Sequence, residues 1–174
     1  MRRIPKSLWD SLGADAKNIR CAHGKASENQ QAGNLGELIF SHDLLLHNIP
    51  FEWVGPKKGG SDFILFGNTG VDIKVKRRTV NIQPEYVGSL PAYQAGFDAD
   101  VLVFGSVNVA LGTPTFEWGG WMFKRDFLLN CTECQQGEQR TQTYATKFTE
   151  LELPYSAMSS MDELWSRLTA KVAA

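Results

Sequence analysis

The chain has 174 residues, 43% hydrophobic and 21% charged, with a formal charge of −1. That length supports one substantial core, so a single domain spanning 1–174 is expected rather than two. The near-neutral charge excludes a globally basic nucleic-acid binder, and no stretch approaches the roughly 18 consecutive apolar residues of a membrane span. The start MRRIPKSLWD lacks the apolar run of a secretory leader and three cysteines cannot all pair, which points to a reducing, intracellular and cytoplasmic setting.

The first forty residues are polar and helix-compatible. They lead into NLGELIFSHDLLLHN, where Leu35, Leu38, Ile39, Leu45 and Leu46 recur at helical spacing, so an amphipathic helix is predicted to end near Asn48. Pro50 blocks its continuation, and FEWVG reads as a first strand before the turn signal PKKGG. SDFILFG and VDIKVKR follow as second and third strands joined by GNTG. PEYVGSLPAYQAGFDAD is predicted to be helical with a proline interruption, and DVLVFGSV to be a central buried strand. TFEWGGWMFKRDFLL reads as a strand feeding a short helix, CTECQQGEQRTQT as an exposed loop, and YATKFTELELPY as strand. SSMDELWSRLTAKVAA is a terminal helix opened by a capping box of Ser160 and Glu163. The order of helix, three strands, helix and strand gives an α/β fold, with a mixed central sheet flanked by helices in three layers.

Side chains alternate faces along a strand, so Asp72, Lys74 and Lys76 share one face while Val71, Ile73 and Val75 share the other. If Phe66, Gly67 and Asn68 form a three-residue hairpin loop, Asp62 stands across from Asp72 with Cβ atoms about 4.5 to 5.5 Å apart. A loop longer or shorter by one residue changes the partner. Two facing carboxylates disfavour each other unless a cation compensates, and a hard divalent ion such as Mg²⁺ is the simplest one. Lys74 lies on the same face as Asp72. Lys57, Lys58, Lys74, Lys76, Arg77 and Arg78 place six cations within 22 residues, a local cluster suited to phosphates or, more plainly, a solvated sheet face with cross-strand ion pairs.

Asp62 followed by Asp72-Ile73-Lys74 resembles the motif of the PD-(D/E)XK nuclease superfamily, whose members share the restriction-endonuclease-like fold. Gly36-Glu37, heading an apolar helix, is similar to the acidic residue many members carry before their first strand. The resemblance covers about 34 to 107. Ser61 stands where the motif name has proline, and Asp72 where glutamate is more usual. The Gln-x-x-x-Tyr element of an exonuclease-like subgroup is absent, since Gln83 and Tyr86 are three apart, which favours resolvase-like or other endonucleases. The resemblance implies a DNA endonuclease leaving 5′-phosphate ends, in which Glu37, Asp62, Asp72 and the main-chain carbonyl of Ile73 hold Mg²⁺, with Mn²⁺ as a substitute. Lys74 would orient the attacking water, and Lys57, Lys58, Lys76, Arg77, Arg78 and Gln94 would bind DNA phosphates, with Tyr93 as a secondary contact. Family nucleases frequently work as homodimers. The rival readings are a catalytically inactive nucleic-acid-binding protein of the same fold and an RNA-directed nuclease.

Other residues carry weaker signals. Glu28 is an alternative helix carboxylate, but nine residues from Glu37 it lies about 180° around the helix. Cys131 and Cys134 could join Cys21 and His23 in a zinc site, although a single CxxC is a weak signal. His42 and His47 could touch substrate, Trp118, Trp121 and Phe123 could stack on bases, and Glu85 fits a helix start; for each, packing or surface placement is the plainer reading.

Overall fold

The computed structural model describes residues 1–14, 27–54, 60–110, 112–141 and 144–173. In chain order they form β1 (Arg2–Arg3), α1 (Lys6–Ala14), α2 (Glu28–Leu46), β2 (Phe51–Trp53), β3 (Phe63–Leu65), β4 (Thr69–Arg78) and β5 (Val87–Pro91). A 3₁₀ turn at Ala92–Gln94 leads to β6 (Val101–Asn108), β7 (Thr115–Phe123) and α3 (Lys124–Asn130). Then come β8 (Thr132–Cys134), β9 (Gln139–Thr141), β10 (Tyr144–Ala145), β11 (Glu150–Pro154), a second 3₁₀ turn at Tyr155–Ala157 and α4 (Met161–Val172).

The fold is α/β, built on a mixed six-stranded sheet in the order β1-β7-β6-β4-β3-β2. β4 and β6 run parallel from Val71 opposite Val101 to Arg78 opposite Asn108, and the other neighbours are antiparallel. β6 is the apolar run expected at the centre, buried from Val101 through Val107. One face packs Val71, Ile73 and Val103 against Phe40 and Leu44 of α2 and Leu164 of α4. The other packs Leu102 and Phe104 against Leu90, Leu153 and Tyr155, with Phe127 of α3 beside them. These last belong to a second sheet, β5-β11-β8, or to the elements flanking it. Helices therefore cover one face of the main sheet, and a small sheet with one short helix covers the other.

Local chemistry accounts for the element that sets the site. α2 opens six residues before the predicted Asn34, because Ser27 and Gln30 form a reciprocal capping box: Gln30 N donates to Ser27 Oγ at 3.3 Å and Ser27 N to Gln30 Oε1 at 2.8 Å. Its approach to β4 depends on Gly36, where an added Cβ would lie 2.2 Å from Val75 Cγ2. The helix ends at Leu46, and Asn48 at φ 54 takes the left-handed conformation that asparagine tolerates.

Two expectations are corrected. The segment after β4 is not a helix: Val87–Pro91 pairs antiparallel with β11, from Glu150 opposite Pro91 to Pro154 opposite Val87, and only one 3₁₀ turn follows. Pro84 and Pro91 bracket this segment, and Gly88 and Leu90 alternate inward with period two, which helix geometry cannot use. The loop after α3 contains strand, because β11 offers Thr132–Cys134 its second edge. Glu85, expected to open a helix, is an exposed residue before β5. The terminal helix starts as expected, with Glu163 N donating to Ser160 Oγ at 3.3 Å. Among the described residues no helix is long and apolar enough to cross a membrane.

Candidate active site at the open edge of β4

β3 and β4 pair as Phe63 with Val71, Ile64 with Gly70 and Leu65 with Thr69, around a loop of Phe66, Gly67 and Asn68. Phe66 at φ 53 and Gly67 at φ 76 supply the two left-handed residues that such a tight reversal needs. This is the register that sets Asp62 level with Asp72. The ladder stops at Phe63, but Asp62 N still donates to Val71 O at 2.9 Å and Val54 N to Asp62 O at 3.0 Å.

β4 runs on to Arg78 with β6 on one edge, while its pairing with β3 ends at Val71. Among the described residues no strand covers that second edge further on. Asp62 closes its first open position: Ile73 N donates to Asp62 Oδ2 at 2.9 Å. A residue's N–H and C=O leave a strand on the same side, so the Ile73 carbonyl also faces this edge.

Asp72 is 5% exposed, and both its oxygens meet the Lys74 ammonium, Oδ1 at 2.7 Å and Oδ2 at 2.6 Å. Its pKa is nonetheless pushed up from 3.8 to about 6. Burial is the main cause; Lys74 pulls the value down, and the charge of Asp62 and a hydrogen bond with it push it up again. Asp62 is thus close enough to Asp72 for its charge and a hydrogen bond to bear on that carboxyl.

Lys124 is a fourth participant that the sequence did not single out. It is buried at the first position of α3, and its Nζ donates to the main-chain oxygens of Gln94, at 3.2 Å, and Phe97. Burial lowers its pKa, Asp72 raises it, Lys74 lowers it and Asp98 raises it, so the ammonium lies within electrostatic reach of Asp72. A cation at a helix's first residue opposes the helix dipole, and that misfit is the sequence signal that could have marked it.

The remaining candidates are placed as follows. Glu37 is buried and accepts a hydrogen bond from Trp53 Nε1 at 3.1 Å, and Trp53 stacks on Phe63. Among the described residues no group of three or more His, Cys, Asp or Glu side chains is arranged to hold a metal ion. The structure therefore brings Asp62, Asp72 and Lys74 together, and ties Glu37 to an indole.

The cations beyond Lys74 have partners inside the chain. Lys76 lies 4.0 Å from Glu150 and 3.8 Å from Glu152, Arg77 pairs with Glu28 at 2.9 Å, and Arg78 donates to Val87 O while covering the Tyr86 ring. Lys57 and Lys58 lie outside the described residues, as do Cys21 and His23 of the zinc alternative. Cys131 is half-buried and Cys134 buried. Gln94 Nε2 donates to the Tyr93 hydroxyl, and Tyr93 itself is exposed. His42 sits 3.8 Å from Asp43, and His47 stacks on Trp165. Trp118 packs edge-on to Phe40 and donates to Asp43, Trp121 is buried, and half-exposed Phe123 packs against it.

Two cavities lie near the site, one lined by Lys74 and the other by Lys124, and neither has Asp62 or Asp72 in its wall. One of about 720 Å³ lies along the open edge of β4 and is lined by Asn29, Asn34, Lys74, Lys76, Gln94 and Tyr155 among others. The second, about 810 Å³, includes Thr69, Asp98, Asp100, Lys124 and Arg125 in its wall. No protein-family model, curated protein or solved structure matches the chain.

Proposed function

We propose that this chain is a metal-dependent nuclease of the PD-(D/E)XK type, with a restriction-endonuclease-like core, that hydrolyses DNA phosphodiester bonds as an endonuclease and leaves 5′-phosphate ends. One observation carries this reading: two aspartates face each other across a hairpin with a lysine on one of them, and Asp72 is pushed to about 6. A paired, buried acid of this kind is stabilised by a cation, and an all-oxygen donor set of Asp62, Asp72 and the Ile73 carbonyl suits a hard ion, Mg²⁺ or Mn²⁺. Glu37, which the resemblance adds to the set, accepts a hydrogen bond from Trp53 Nε1 through one carboxylate oxygen, and the proposal rests first on the two aspartates.

Bound Mg²⁺ would supply polarisation of the scissile phosphate and activation of the attacking water. The chain's own groups would do the rest. Lys74, already between Asp72 and the cleft, would exchange part of its contact with the carboxylate for a non-bridging phosphate oxygen, offsetting charge that builds in the transition state. Water oxygen bonds to phosphorus, the bond to O3′ breaks, and the products carry 5′-phosphate and 3′-hydroxyl ends. Lys76, Arg77 and Arg78 would meet flanking phosphates by exchanging intramolecular partners, contacts that position a strand without reading sequence. Cutting two strands calls for two sites, so a homodimer belongs to the proposal.

The test is incubation of supercoiled plasmid, branched DNA, single-stranded DNA and RNA with the protein in Mn²⁺. Cleavage by wild type and its loss in Asp72→Ala and Lys74→Ala, with DNA affinity retained in Asp72→Ala, supports the reading. Equal cleavage by the variants removes the site assignment; no cleavage of any substrate leaves a binding protein of this fold.

A further inference from the structure

The cleft along β4 contains two amides whose hydrogen-bonding capacity the chain leaves unused. Asn34, on the inner side of α2, is 6% exposed, and its Nδ2 is buried with no hydrogen-bond partner. Gln94, on the 3₁₀ turn across the cleft, spends its Nε2 on Tyr93, and its buried Oε1 has no partner. Unsatisfied buried polar atoms are rare in native folds because each has given up water for nothing in return. Two in one cavity, beside Lys74, form a place where a ligand would restore what the chain does not supply.

The pattern limits the ligand. Asn34 lacks an acceptor and Gln94 lacks a donor. A bare anion would satisfy the first and meet the lone pairs of the second, with Glu150 in the same wall; a simple cation would meet Lys74 and Lys76. What fits is a neutral planar group carrying both a donor and an acceptor, joined to an anionic group that reaches the lysines. A nucleobase with its phosphate has this composition. A cavity of about 720 Å³ lies in the size range of small-ligand sites and cannot enclose a base-paired duplex, so the base would have to be unpaired to present its edge there.

We propose that the cleft between α2 and the β5–β11 sheet seats one unpaired nucleotide of the nucleic-acid substrate, with its base hydrogen-bonded to Asn34 and Gln94 and its phosphate on Lys74. This rests on the nuclease reading in sharing Lys74, and it narrows the substrate to single strands, flaps or branched junctions with an unpaired nucleotide at the site.

The test separates binding from cleavage. The full-length wild-type protein in EDTA is titrated into fluorescein-labelled DNA, with anisotropy as the readout: homopolymeric single strands of each base, an abasic strand of equal length, and a blunt duplex. The expected results are about tenfold tighter binding of single strand than of duplex or abasic strand, and a loss of about fivefold or more with Asn34→Leu or Gln94→Leu. Both variants should keep or raise the melting temperature, since each removes an unsatisfied amide. Abasic or duplex DNA binding as tightly as the intact single strand overturns the proposal, as does unchanged affinity in both variants. Metal-dependent cleavage is assayed in parallel. Its absence alongside base-dependent binding fails the nuclease reading alone, and its presence alongside base-independent binding fails the cleft alone.

Discussion

Asp72→Asn should stabilise the metal-free protein, and the size of the gain follows from the aspartate's environment. The carboxyl is displaced from 3.8 to about 6, which at about 1.4 kcal/mol per pH unit corresponds to about 3 kcal/mol. A raised acid pKa means that the folded state holds its proton where the unfolded chain has already released it. Stability from this group is therefore intact below 3.8, falls as pH rises towards 6, and stays low above that. The neutral asparagine escapes the loss. It also gives up one of Lys74's two contacts with Asp72, which trims the net gain to roughly 1–3 kcal/mol. For a chain of this length that is about 3–9 °C in melting temperature. The assay is thermal or urea unfolding in EDTA at pH 8 and pH 5, where the variant's advantage should be smaller by about 1.4 kcal/mol. A variant equal to or less stable than wild type at pH 8, or an advantage independent of pH, would refute the claim that Asp72 is held as a strained carboxylate.

Three other outcomes are expected. Gly36→Ala places a methyl 2.2 Å from Val75 Cγ2 and should push α2 off the sheet, losing about 1–3 kcal/mol in urea unfolding. Lys124→Met leaves the Gln94 and Phe97 carbonyls without their buried donor and should lose about 1–3 kcal/mol, read by the same assay. Glu37→Gln keeps an acceptor for Trp53 Nε1, so cleavage in Mn²⁺ should fall less than tenfold; a loss as large as that of Asp72→Ala would place Glu37 on the metal.

The parts of the fold that the sequence disclosed are those where local pattern and tertiary demand coincide. Gly67-Asn68 and the alternation through Val71, Ile73 and Val75 mark a hairpin, while its register, and with it the meeting of Asp62 and Asp72, depends on a loop length that only the ladder settles. The unbroken run from Val101 to Val107 has no polar face to offer solvent, so it is central wherever it pairs. Val87–Pro91 was misread because its partner lies more than fifty residues away, and a short stretch with tyrosine, leucine and glutamate nearby also suits a helix. Ser27 and Gln30 begin α2 within a polar run that shows no hydrophobic period. That the basic cluster is ion-paired could be anticipated, but its partners could not, because Glu28, Glu150 and Glu152, which meet Arg77 and Lys76, are remote in sequence. Lys124 and Asn34 matter only through what lies across space from them.

The central claim is that Asp62 and Asp72 converge on one divalent cation. Its most direct test is calorimetric titration of the metal-free protein with Mn²⁺, on wild type and on Asp62→Asn and Asp72→Asn. Saturable binding by wild type that either substitution abolishes is the predicted result. Binding of equal strength in both variants, or no binding to wild type, contradicts the claim.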